Sequence, residues 1–491
     1  MKRSISFICL LLTLAMLAMG CKKTPEEPVE GTDSVTVDTG DLYDANGYIK
    51  DTIPADVKYD GGVISIMGWN DIGGSRDFNV ETTREDRIAL RTFARNKRVE
   101  TRLDVALEFN LSLKGGNHGR QEYTQAVERA LMTGTKYDLI ACYSMNASNL
   151  AADNFLINLN EQSALNFDMP WWPDMMIQNS TINGKLYFAS GSISTASIMQ
   201  SLVIAVNLDM LRSYGLDDPR DIVADGEWTM SKFYEMCTDT YVDHNKEVDG
   251  KDAGDKFGFV TIDSVVGDAF LISNGLKYLS TDESGKIVIA PEFKGAKLHE
   301  LSESLIQKFK SDDFYYSTNA STKPFTEQRA IFMGIAFDTL VEIKSNISFE
   351  YGYLPFPKAN SDQTDYRTCV GFPFTMWCIP QQAADYERSA YVMECLASEG
   401  YRQVQPEVYQ EVKYRLGSDA LNAEMFEIII SSMSNDIGRI FHDEFEWADS
   451  PVAVFRTRLY NYDSSDWYSI LAGKTPIMEG VIANINSYFG Y

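Results

Sequence analysis

Between residues 61 and 142 the chain changes twice from the period of a strand to the period of a helix, a pattern few folds accept. GGVISIMGWN, residues 61–70, is a short apolar run suited to a strand. Thr82 and Glu85 stand at capping-box spacing and open a helical stretch whose apolar face carries Ile88, Leu90 and Phe93. Val105, Leu107, Phe109 and Leu111 then alternate as a half-buried strand does. GRQEYTQAVERALMTG sets Tyr123, Ala126, Val127, Ala130 and Leu131 on one helical face and ends at Gly134, a residue free to adopt a helix-closing backbone. Residues 137–142 supply a third strand. The order βαβαβ with parallel strands makes the fold class α/β, and ligands of such sheets sit beyond the carboxyl ends of the strands. Those ends are Trp69, Asn70 and Asp71 after the first strand, and Tyr143, Ser144 and Asn146 after the third.

A chain of 491 residues that is 44% hydrophobic is large enough for two or more cores. Lys and Arg number 44 against 70 Asp and Glu, a net charge of −26, which excludes nucleic acid as a partner because phosphate backbones are bound by clustered cations. The same charge repels the body from an anionic membrane. Lys2 and Arg3 precede an apolar run over 5–19 that ends at Gly20-Cys21, the form of a targeting segment and too short for a stable span. Residues 21–55, rich in Asp, Glu, Pro and Thr, are expected to be an acidic, flexible tether. After Cys9 and Cys21 five cysteines remain, with no CxxC spacing, so they are expected to be small core residues.

Gly20-Cys21 resembles the bacterial lipoprotein box, with Ala18 where Leu is usual, which implies that Cys21 is the lipidated first residue after cleavage of 1–20. KYDLIACYSMNASNLAADNFLINL, TINGKLYFASGSIS, SLVIAVNLDMLRSYGL, GEWTMSKFYEMC and GYLPFPKANSDQTDYRTCVGFPFTMWCIP, in that order, resemble the family 1 extracellular solute-binding proteins. These are maltose-binding-protein-like receptors of sugar-type ABC importers. The resemblance implies a two-lobe, type II periplasmic-binding-protein-like fold, each lobe a mixed sheet flanked by helices. Carried over, it places 56–197 and 372–440 in the amino-terminal lobe and 203–369 and 446–491 in the other, with crossings near 197–202, 370–371 and 437–445. It implies a monomer on the outer face of the bacterial cytoplasmic membrane, held by its lipid. Its partners would be a carbohydrate and a membrane permease.

No GxSxG, HExxH, P-loop or GxGxxG is present, and His118, His244, His299 and His442 fall in no metal-binding pattern, so binding without catalysis is expected. Sugar rings pack a C–H face on aromatics and offer hydroxyls to Asp, Asn, Glu and Gln. Trp69, beside Asn70 and Asp71, is therefore the expected ligand platform, whereas Trp228, Trp377 and Trp467 are expected in cores. Trp171 and Trp172 suit either a wall of the first lobe or the ligand. The resemblance adds Phe337 and Asp338 after QRAIFMGIA, and Glu444, Glu446 and Trp447 past the third crossing. It also likens 243–259 to an EF-hand-like calcium loop opening with Asp243, Asn245 and Glu247. Val248 and the shifted Asp249-Gly250 break the later register, so a solvated acidic loop is the favoured expectation and calcium the alternative. Other functions in keeping with the sequence are a sensor presenting ligand to a signalling receptor, a receptor for another polar solute, and an extracellular glycoside-acting enzyme.

Overall fold

The structure is a computed structural model and describes residues 42–44, 46–71, 77–78, 87–116, 119–244, 250–317, 320–414, 416, 419–462 and 466–491. The expected signal segment, Cys21, most of the tether and the Thr82–Glu85 box lie outside them. The chain divides into two units, Met1–Lys50 and Asp51–Tyr491. In the first, Tyr43 and Ile49 form an antiparallel bridge. The second begins inside the stretch expected to be tether. Asp51 accepts from Arg102 at 2.6 Å, Arg402 at 3.1 Å and Ser398 Oγ at 2.9 Å, and Ile53 is buried. Burial raises the Asp51 pKa, but Arg102 and the donors of Ser398 and Arg402 outweigh it and hold the carboxyl below its ordinary value. No helix among the described residues is long and apolar enough to cross a membrane.

The strands, in chain order, are β1 (Gly62–Met67), β2 (Val105–Asn110), β3 (Leu139–Tyr143), β4 (Leu202–Asn207), β5 (Phe257–Thr261), β6 (Leu279–Thr281), β7 (Ile287–Ile289), β8 (Phe314–Tyr316), β9 (Ala330–Ala336), β10 (Tyr351–Leu354), β11 (Thr368–Cys369), β12 (Thr375–Cys378) and β13 (Met433–Ser434). The first lobe is the expected βαβαβ. Its sheet runs β12-β3-β1-β2, with β1 parallel to β2 and β3, and β12 returning antiparallel against β3. Helices α1 (Arg87–Leu103) and α2 (Arg120–Met132) make its two connections. The buried face of α1 is not the expected one: Ile88, Ala89, Thr92, Arg95, Asn96, Val99 and Leu103 are buried, while Leu90 is 41% exposed. The stripe is displaced because its centre is a charged residue, Arg95, which periodicity assigns to solvent.

The second lobe carries a mixed sheet, β10-β4-β9-β5-β8. Its core is aromatic. The Phe233 ring meets Trp228, Phe259, Phe270, Phe314 and Phe332 at centroid distances of 5.3–5.9 Å. Trp228 also donates Nε1 to Pro355 O, so it is a core residue as expected. Helix α3 (Ser144–Ala152) follows β3, and α4 (Val266–Ser273) follows β5.

The segments that pass between the sheets lie together. Ser201 bridges Val370 antiparallel, Gly371 N–H donates to Gln200 O at 2.7 Å, and β11 pairs parallel with β13. Helix α5 (Tyr386–Glu399) then packs on α1 of the first lobe. Helix α6 (Ala420–Ser431), expected with the first lobe, lies instead against β10 of the second. Asp419 there takes Arg220 at 2.6 Å, and Asn422 Oδ1 accepts from Tyr353 N–H at 3.3 Å. Helix α7 (Pro451–Tyr460) packs on the second lobe, and α8 (Trp467–Tyr488) spans both. Trp467 meets Phe293 at one end of α8, and Phe489, just past the other end, meets Tyr187. Cys142, Cys237, Cys369, Cys378 and Cys395 are all buried and unpaired, in keeping with their expected role as core residues.

Candidate functional site

A cavity of about 400 Å³ opens between the two sheets, and its walls are the ends of strands. Trp69 and Asp71 past β1, Gly116 past β2 and Tyr143 at the end of β3 line it from the first lobe. Ile262, Asp263 and Val265 past β5, and Ala336, Asp338, Thr339 and Glu342 from the end of β9, line it from the second. Gln200, Gly371, Phe372 and Pro373, from the crossings, close it at the hinge side. Parallel strands leave their terminal peptides and following loops at one end of a sheet, and here both sheets turn that end toward the same space.

Four of the residues expected at the site border this cavity: Trp69, Asp71, Tyr143 and Asp338. Asp71 lies so close over the loop after β2 that a Cβ on residue 116 would fall 2.1 Å from its Oδ2, so only glycine fits there. Asp338 receives Gln200 Nε2 at 3.4 Å. Ser144 and Asn146 support the lining from behind it. Ser144 Oγ donates to Phe372 O at 2.7 Å, and Asn146 Nδ2 donates to Gly115 O at 3.0 Å. Asn70 is exposed, with its backbone N–H on Leu113 O, and is not part of the lining.

Phe337, the first residue of the short helix Phe337–Ile343 after β9, is buried against Tyr353 and Phe426, and its neighbour Asp338 takes the cavity side. Glu446 is exposed and borders no part of the cavity, and the Trp447 backbone starts the turn Trp447–Asp449. Glu444 borders a separate polar cavity with Glu128, Asp153, Asp443 and Arg120, where burial pushes the Glu444 and Glu128 carboxyls up to about 7.

Trp69, the expected platform, is fully enclosed. Its Nε1 donates to Thr375 Oγ1 at 3.1 Å, and the Tyr143 ring meets it edge-on at 5.3 Å. Thr375 in turn donates to Asp77 Oδ2 at 2.7 Å, where Ser194 Oγ also donates at 2.5 Å. Arg95 lies nearby, its Nη2 on Asp77 O and its Nη1 on Ile193 O. Burial drops the Arg95 pKa to about 10 and raises that of Asp77. This network anchors the tryptophan from within the first lobe. Trp171 and Trp172 are likewise walls, both donating their indole N–H to Glu394, at 3.0 and 2.9 Å.

Among the lining residues that sequence reasoning missed are Gln200, Asp263, Glu342 and Phe372. Phe372 sits in the crossing phrase VGFPF, whose Gly and Pro flanks were the available signal. Beneath it, Asp268 is buried and accepts Arg439 Nε at 2.7 Å, Arg456 Nε at 2.8 Å and the Tyr278 hydroxyl at 2.7 Å. Burial raises the Asp268 pKa, but Arg456 and Arg439 overcome this and hold the carboxyl below its ordinary value. In the acidic loop Asp243 is exposed, while Asn245 and Glu247 lie outside the described residues. Among the described residues no group of His, Cys, Asp and Glu is arranged to hold a metal ion.

No protein-family model matches the chain, and no curated protein matches it in sequence. Its fold has solved counterparts. An extracellular solute-binding protein from Staphylococcus aureus in complex with maltose aligns with a TM-score of 0.59 at 8% identity, covering 87% of this chain and 99% of its own. A cyclo/maltodextrin-binding protein complexed with maltotetraose gives 0.57 at 9% identity, covering 87% and 98%. UgpB from Mycobacterium tuberculosis in complex with glycerophosphocholine gives 0.55 at 12%, covering 85% and 98%. At such identities the likeness establishes the architecture, a two-lobe solute-binding-protein fold.

Proposed function

We propose that this protein is an extracellular carbohydrate receptor that closes its two lobes around an oligosaccharide and passes it to the membrane permease of an ABC importer. The observation that carries this reading is a cavity walled by strand ends of both lobes, with carboxylates on each side, in a fold whose solved counterparts include proteins bound to maltose and maltotetraose. Its volume lies within the roughly 300–1,000 Å³ of small-molecule sites. Asp71 on one wall and Asp263, Asp338 and Glu342 on the other offer acceptors to sugar hydroxyls. A ligand touching both walls binds the closed state more tightly than the open one, and that difference drives closure. The protein binds and does not catalyse, and lipid on Cys21 holds it at the outer face of the cytoplasmic membrane.

A second reading rests on the charge of the lining. Among the described residues the cavity presents four carboxylates and no Lys or Arg, which also suits a polar solute that bears an ammonium group, and UgpB was solved with glycerophosphocholine. Calorimetry of the purified protein against neutral oligosaccharides, glucosamine oligomers and glycerophosphocholine separates the two. Saturable binding of a neutral oligosaccharide, without release of reducing sugar, is the expected outcome. Binding of the ammonium-bearing solutes alone supports the second reading, and turnover of a glycan overturns the binding role.

A further inference from the structure

We propose that Phe372, and not Trp69, is the aromatic surface against which the bound solute packs, and that Arg439 and Arg456 are the positioning residues that hold it there. This rests on the receptor reading of the cleft. Three aromatic residues border the cavity among the described residues, and two of them are closed to contact: Trp69 is 0% exposed and Tyr143 is 1% exposed. Of the three, Phe372 alone is half-buried rather than fully buried. An aromatic surface contributes to solute binding only where its carbons can be reached, so the enclosed indole is unsuited and the half-buried phenyl is suited.

The ring is held as a preorganised contact must be. The Arg439 guanidinium carbon lies 4.2 Å from its centroid and that of Arg456 lies 5.2 Å away, with the His442 imidazole 6.3 Å off at 26°. Burial and the Arg456 charge bring the His442 pKa down to about 3, so the imidazole is neutral and adds no further charge at the ring. The guanidiniums are committed elsewhere by hydrogen bonds: both donate to Asp268, and Arg439 Nη1 also donates to Val370 O. Arg439 Nη2 has no hydrogen-bond partner among the described residues, and the guanidinium lies over the Phe372 π-face as well as beside Asp268. From the other side the Phe372 carbonyl takes Ser144 Oγ, and Gly371 N–H is tied to Gln200 O. Backbone and ring are thus fixed before ligand arrives, and little ordering entropy remains to be lost on binding. Asp268 cancels part of the charge behind the ring, so Phe372 meets its ligand as an apolar surface beside the rim carboxylates.

The test measures affinity and thermal stability on the same variants, with the tightest neutral oligosaccharide of the calorimetric panel as probe. Phe372→Ala is expected to weaken binding about tenfold or more. Phe372→Leu fills much of the volume over the arginines without a ring, and is expected to lose affinity with little change in melting temperature. Phe372→Trp is expected to retain binding. Trp69→Phe is expected to lower the melting temperature and to weaken binding less than Phe372→Leu does. Wild-type affinity in both Phe372→Ala and Phe372→Leu overturns the proposal and leaves the receptor reading standing. A larger affinity loss for Trp69→Phe than for Phe372→Leu returns the platform to Trp69. A wild-type protein that binds no member of the panel overturns both readings.

Discussion

The two lobes solve the same problem, a sheet with helices around it, with different chemistry in their cores. The second lobe is built on phenylalanine: Phe233, Phe259, Phe270, Phe314 and Phe332 form one cluster without a charged member. The first lobe buries ionisable and polar groups among its tryptophans. Asp77, Ser194 and Thr375 tie down Trp69, Glu394 ties down Trp171 and Trp172, and Asp51 takes Arg102 and Arg402. An apolar cluster stabilises without regard to direction, whereas a hydrogen-bonded one sets orientation and depends on proton concentration. In the lobe that carries Trp69 and Asp71 at the cleft, the tryptophans are oriented by hydrogen bonds to buried polar and ionisable groups.

The contrast can be broken most forcefully at Phe233. Phe233→Ala leaves a void amid rings on several sides and is expected to cost about 3–5 kcal/mol of unfolding free energy in urea, with no dependence on pH between 5 and 8. A loss under about 1 kcal/mol would mean the aromatic cluster is not the stabilising core of the second lobe.

Next in size is a pH effect centred on Glu394, the acceptor behind Trp171 and Trp172 of the first lobe. Burial pushes Glu394 up to about 7 against an ordinary 4.5, despite the indole donors of Trp172 and Trp171 and the Asn166 N–H, which favour the anion. The folded state therefore binds the proton more tightly than the unfolded one. The stability linked to this group is complete below about pH 4.5 and is lost as pH rises through 7, a change of about 3 kcal/mol. Urea titrations at several pH values should show this slope, and Glu394→Gln should flatten it even though one indole loses its acceptor. An unchanged slope in that variant would place the titrating group elsewhere.

The smallest effect sharpens the comparison at the cleft. Trp69→Phe keeps a ring in the wall but removes the donor to Thr375 Oγ1, and is expected to cost about 1–2 kcal/mol. Thr375→Val deletes the same bond together with the one to Asp77. The double variant should therefore be less destabilised than the sum of the singles, and strict additivity would show that the two side chains are not coupled.

Much of this architecture was legible in the chain. The alternation of periods gave the parallel strands β1, β2 and β3 in order, and the rule that ligands lie past their carboxyl ends led to Trp69, Asp71 and Tyr143. What escaped were facts that only tertiary neighbours decide. Arg95 looks like a solvated helix residue until the Asp77 loop is folded over it, and that displaced the buried face of α1. Phe337 and Asp338 are adjacent, and no local signal says which of them turns to the core. Helix α6 sits on the second lobe because Arg220 and Tyr353, distant in sequence, supply partners for Asp419 and Asn422. Phe372 was missed because its Gly and Pro flanks mark a turn without showing that the aromatic faces a cavity, and the arginines behind it come from 67 and 84 residues further on.

The five buried, unpaired cysteines give the molecule internal clocks. Cys142 and Cys378 lie in the first sheet and Cys395 on α5, Cys237 lies in the second lobe, and Cys369 lies where the chain crosses. Burial raises the thiol pKa of Cys237, Cys369, Cys378 and Cys395, so these sulfurs react with an alkylating reagent only when their surroundings open. Each then counts the openings of its own region, and peptide-level mass spectrometry reads the counters separately. A solute that bridges the cleft should slow the crossing's counter at Cys369, so the same thiols that bear on stability also time the lobes' closing.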